Sequence, residues 1–124
     1  MKLPESMKGA CTIYISGPIS KRSQMQTQKH FGEARKALEE QGYDVMDPTK
    51  LGFENAGVAE WDKFMREGIK LLMDCDAIYM LEGWEDSRGA TIESDLAWEL
   101  GMPIVYEGKG SLVKQKEILN EEHI

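Results

Sequence analysis

Read from its N-terminus, the chain alternates short, nearly continuous apolar runs with longer stretches in which apolar positions recur every three or four residues. Residues 10–16 (ACTIYIS) are β-branched and apolar and stop at Gly17-Pro18, which predicts a buried strand entering a loop. Residues 24–41 carry Phe31, Ala34, Ala37 and Leu38 as an inward stripe and end at Gly42, which predicts a helix. Residues 43–46 read as a second short strand, stopped by Asp47-Pro48, and the Gly-rich, polar residues 49–60 read as a long loop. A second helical stripe follows in Trp61, Phe64, Met65, Ile69, Leu72 and Met73. Residues 75–81 (CDAIYML) predict the third strand, 90–100 the next helix and 103–106 (PIVY) the fourth strand. The charged residues 111–124 are expected to form a helical tail.

Strands that are apolar throughout must be covered on both faces, so this alternation predicts a mostly parallel sheet between helices. Ligands of such sheets sit outside the carboxyl ends of the strands. Three loops meet there: residues 17–22, residues 47–49 and residues 83–89.

One polar residue breaks the pattern. At about 100° per residue, Ala90, Ile92, Leu96, Ala97 and Leu100 share one arc of their helix. Thr91, Ser94, Asp95, Trp98 and Glu99 share the other. Glu93 falls inside the apolar arc, where burial penalises the ionised form. It lies one turn after Asp86-Ser87-Arg88-Gly89, small residues that would leave backbone N–H groups free at a helix start.

Composition narrows the chemistry. The 124 residues suffice for one domain and one core. A net charge of −7 without a dense Lys/Arg block argues against nucleic acid as a partner. No apolar run approaches the roughly 20 residues that span a bilayer, and Met1 to Lys8 is too short and polar for a signal peptide, so the reading is cytoplasmic. Cys11 and Cys75 form no CxxC pair, and His30 and His123 belong to no ligand cluster, so neither metal nor cofactor is expected.

The loop residues suit a small anion. Gly17, Ser20, Lys21 and Arg22 on one loop, with Ser87 and Gly89 on another, combine backbone donors, hydroxyls and cations fit for a phosphate. Neither a Walker A pattern nor a GxGxxG is present. Trp84 could stack on a planar base. A phosphate, a base and a desolvated carboxylate fit chemistry at a sugar carbon, where a carboxylate can form a glycosyl ester that water resolves.

Tyr14-Ile15-Ser16-Gly17-Pro18-Ile19, Leu81-Glu82-Gly83-Trp84, Ser87-x-Gly89-x-x-x-Glu93 and Leu100-Gly101 resemble the nucleoside 2-deoxyribosyltransferase superfamily, in its DUF4406-type branch. The resemblance covers about residues 11–106. It is similar to the branches that hydrolyse nucleoside 5′-monophosphates, CMP among them, in phages and bacteria. It implies a flavodoxin- or Rossmann-like three-layer α/β sandwich with a mostly parallel sheet of four to five strands. It implies Glu93 as nucleophile, with Tyr14, Ser87, Gly89 and the loop that carries Gly17, Ile19, Ser20 and Arg22 around the nucleotide; Trp84 and Asp47, on the other loops at the strand ends, are expected beside them. It also implies a homodimer in which Ser111 enters the neighbouring site. The superfamily often carries an aspartate where this chain has Gly68, so restoring it (Gly68→Asp) is expected to raise the rate; Glu82 also departs from the branch's usual proline. The expected reaction is hydrolysis of the N-glycosidic bond of a pyrimidine nucleoside or deoxynucleoside monophosphate. Transfer between unphosphorylated nucleosides, or nucleotide binding without catalysis, stay open beside it.

Overall fold

The computed structural model describes residues 11–19, 22–51, 61–109 and 113–116. Ser20, Lys21 and Ser111 therefore lie outside the described residues, as does most of the expected helical tail. Five strands form one sheet: β1 (Thr12–Ser16), β2 (Asp44–Met46), β3 (Ala77–Met80), β4 (Ile104–Tyr106) and β5 (Val113–Lys114). Its order is β2-β1-β3-β4-β5, with the first three pairings parallel and β4–β5 antiparallel. Three α-helices connect the strands: α1 (Gln24–Glu40), α2 (Trp61–Met73) and α3 (Arg88–Glu99). This is the expected α/β sandwich with a mostly parallel sheet. The exception is Val113–Lys114, expected in a helix, which pairs as an edge strand with Ile104 and Val105.

The two faces of the sheet follow from the alternation of side chains along each strand. Ile13 and Ile15 of β1, with Ala77 and Tyr79 of β3, pack beneath Phe31, Ala34 and Leu38 of α1. Tyr14, Ile78, Met80 and Ile104 pack on the opposite face, with Leu72 of α2 and Ala90 and Ala97 of α3. Helix α1 starts at a reciprocal capping box, in which Ser23 accepts from the Gln26 backbone and Gln26 accepts from the Ser23 backbone. It ends before Gly42, whose φ of 94° suits a residue without Cβ.

Helical burial is narrower than the hydrophobic pattern predicts. In α1 the buried positions are Thr27, Phe31, Ala34 and Leu38, whereas Ala37, about 100° around the helix from Leu38, faces solvent. In α3 they are Ala90, Glu93, Ser94 and Ala97, an i, i+3, i+4, i+7 stripe. Three of these four are small, so the helix lies close to the sheet and its bulkier Ile92 and Leu100 are left exposed. Ser94, expected outside, is therefore buried, and Glu93 sits in the middle of the buried face.

Candidate active site

The order β2-β1-β3 makes the ends of β1 and β3 the switch point, where the chain leaves neighbouring strands in opposite directions. A cleft of about 380 Å³ opens there. Its floor is Glu93 of α3 with Tyr14 and Ser16 of β1; Trp61, Phe64 and Met65 of α2 line it, with Ile19 and Pro48. Arg22, Gly83, Ser87, Arg88 and Gly89 also line it, from the loops beyond the strands and the start of α3.

Glu93 is only 5% exposed. Each carboxylate oxygen has its own donor: Tyr14 Oη–H donates to Oε2 at 2.6 Å and Ser16 Oγ–H donates to Oε1 at 2.7 Å. The pair comes from strand geometry, since residues two apart on β1 point to the same face. Burial raises the Glu93 carboxyl from its usual value of 4.5 to about 7, against the two hydrogen bonds, which favour the charged form. Burial, and then the charge of Glu93, hold the Tyr14 phenol well above its ordinary range, so it stays a donor. The result is a carboxylate fixed in orientation, sparsely hydrated and close to half ionised at neutral pH. Such a group can act as a nucleophile or as an acid–base catalyst.

The start of α3 is ordered by Ser87, whose Oγ accepts from the Ala90 backbone at 3.2 Å and whose carbonyl accepts from Thr91. Gly89 lies where α3 meets α2: a Cβ there would come within 2.8 Å of Met65 Sδ. Gly17 serves β1 in the same way, since its Cβ would meet Leu81 at 2.8 Å. The two glycines thus have packing reasons as well as a place in the cleft. Arg88 lies over the Trp61 ring, 4.3 Å from its centroid, which holds that ring at the cleft wall.

Two residues expected at the nucleotide lie apart from the cleft lining. Asp47 is buried, but its Oδ1 accepts from both the backbone and the hydroxyl of Thr49 (2.9 and 2.6 Å), closing a local turn, while Arg35 approaches its other oxygen at 3.6 Å. Its neighbour Pro48 lines the cleft instead. Trp84 packs beside Tyr106, ring centroids 6.0 Å apart, against the α3 side of the core. Tyr14, Gly17, Ile19, Arg22, Ser87, Gly89 and Glu93 are brought together. Sequence reasoning passed over Ser16, whose signal was its two-residue spacing from Tyr14. It also took Trp61, Phe64 and Met65 only as a core stripe, because a stripe facing a cleft has the same period as one facing a core.

The family model described as "Domain of unknown function (DUF4406)" matches residues 11–106. No curated protein matches significantly. Among solved structures, a 2-deoxyribosyltransferase from Bacillus psychrosaccharolyticus is similar at 19% identity and a TM-score of 0.59, over 77% of this chain and 70% of that one. That enzyme is described as a biocatalyst for nucleoside synthesis, and at this identity the likeness speaks for the fold.

Proposed function

The chain belongs to the DUF4406 family, and from that premise we propose that it is a member of the nucleoside 2-deoxyribosyltransferase-like superfamily that hydrolyses the N-glycosidic bond of a nucleoside 5′-monophosphate. The observation that carries this reading is Glu93, a buried carboxylate fixed by two hydroxyls at the floor of an open cleft. Its ionised form attacks the anomeric carbon. The bond to the base breaks with its electron pair on the base nitrogen, which takes up a proton from solvent. The resulting glycosyl ester is cleaved by water, whose oxygen and one hydrogen stay on the sugar 5-phosphate while its other proton returns to solvent, restoring the Glu93 carboxylate. Tyr14 and Ser16 hold both oxygens throughout, so the carboxylate keeps its aim as its charge comes and goes.

The remaining walls divide the substrate by chemistry. Trp61, Phe64 and Met65 offer an apolar, partly aromatic wall suited to a base. Ser87, Gly89 and the first turn of α3, with the Arg22 guanidinium, offer donors and positive charge for the phosphate. A pyrimidine is the base this reading favours, and a homodimer the functional unit.

Incubation with matched nucleoside monophosphates and nucleosides, followed by chromatography for free base, tests the proposal. Base release from monophosphates is expected, and Glu93→Gln should reduce it by on the order of 10³-fold or more while leaving the fold intact. Turnover by Glu93→Gln within tenfold of the wild type would refute the nucleophile assignment. Exchange of bases between nucleosides would select the transferase reading, and binding without turnover the binding module.

A further inference from the structure

Arg22 lines the cleft with its guanidinium against a histidine ring. Its Nη1 lies 2.9 Å from His30 Nδ1. Arginine has only donors, so Nδ1 must be the acceptor and the imidazole proton must sit on Nε2. That Nε2–H points at Glu107 Oε1, 2.7 Å away, and the same oxygen accepts the Glu82 backbone N–H at 2.8 Å. The chain of bonds thus runs from the loop after β4, through α1, to the segment after β1.

On its other side the guanidinium lies against Gly83. A Cβ there would stand 2.9 Å from Nη2, and the φ of 90° at that residue also favours glycine. Among the described residues no carboxylate is in ion-pair range of Arg22. The arrangement is unusual in its economy of charge. A carboxylate in place of His30 would fix Arg22 and neutralise it, whereas a neutral imidazole fixes it and leaves its charge for a ligand.

We propose that His30 and Glu107 are positioning residues that hold Arg22 as the phosphate-binding cation of the cleft. The proposal rests on the monophosphate reading above.

The test is calorimetric binding of a nucleoside monophosphate and of the matching nucleoside to the full chain at pH 7.5. The variants are His30→Leu, which removes the acceptor, and His30→Asn, which keeps an acceptor near the Nδ1 position. At pH 7.5, His30→Leu should weaken monophosphate binding about tenfold, the scale of one charge-assisted hydrogen bond, and nucleoside binding less than twofold. His30→Asn should recover most of the loss. A wild type that prefers the nucleoside would sink the monophosphate reading and this proposal with it. A wild type that prefers the monophosphate, with His30→Leu unchanged or with His30→Asn no better than His30→Leu, would overturn the relay alone.

Discussion

A methyl group added at Gly68 would stand 2.9 Å from Tyr14 Oη and 3.2 Å from Glu93 Oε2. Position 68 therefore faces the Glu93 carboxylate, as the superfamily pattern implies, but here the space is already taken by the Tyr14 hydroxyl. Tyr14 is wholly buried and has little room to yield. An aspartate at this position would displace the donor that orients Glu93 and set a second carboxylate beside it, raising the Glu93 pKa further. The sequence alone suggests that Gly68→Asp should speed base release; the geometry reverses that expectation. Gly68→Asp should lower the rate at pH 7 by at least about tenfold and move the pH–rate profile to higher pH. A rate equal to or above that of the wild type, in a variant shown to be folded, would mean that Tyr14 is not the partner Glu93 depends on.

At the scale of the element, α3 is where one residue serves two ends. Ser87 caps the helix and also lines the cleft, so its replacement by alanine confounds the two roles. Loss of the cap alone costs about 1 kcal/mol. Aspartate separates them, because it caps as well as serine and suits the positive end of the helix dipole, yet its charge repels a phosphate. Ser87→Asp should melt within a few degrees of the wild type and lose far more monophosphate turnover than Ser87→Ala. Equal losses in the two variants would leave Ser87 as a cap and nothing more. The same helix shows what the chain made legible and what it did not. Glu93 could be placed from its own arc, because the cost of burying a carboxylate makes it conspicuous. The exposure of Ile92 and Leu100 could not, because it depends on how closely Ala90, Ser94 and Ala97 let the helix approach the sheet. Strands β1, β3 and β4 were readable because buried strands have no polar face, whereas β2, with Asp44 and Met46 exposed, was marked by the Asp47-Pro48 stop that follows it. The edge strand at Val113–Lys114 was not, since two residues carry no period. At the site, the Tyr14–Ser16 pair was implicit in strand alternation, whereas the turn built by Asp47 with Thr49 and the packing of Trp84 on Tyr106 are tertiary facts.

For the whole molecule, the buried carboxylate makes stability depend on pH with a sign opposite to that of most acidic residues. An unfolded chain releases the Glu93 proton near 4.5, and the folded protein holds it to about 7. Between those values the native state binds more protons than the unfolded state, so unfolding becomes easier as pH rises. The contribution is complete below pH 4.5 and is lost as pH climbs through 7. The difference corresponds to about 3 kcal/mol, at 1.36 kcal/mol per unit. In a domain of this size that is on the order of 10 °C in melting temperature. Glutamine has the shape of glutamate and no charge to desolvate. Glu93→Gln should therefore be more stable than the wild type at pH 8, with the advantage shrinking towards pH 5, even as it abolishes base release. Thermal melts of both proteins across pH 5–8 measure this directly, and the difference between the two curves isolates residue 93 from every other titrating group. Parallel curves would mean that Glu93 pays no burial penalty in the folded protein. A gap that opens as pH rises would show that the fold carries a destabilising group for the sake of its chemistry, as residues selected for function commonly do.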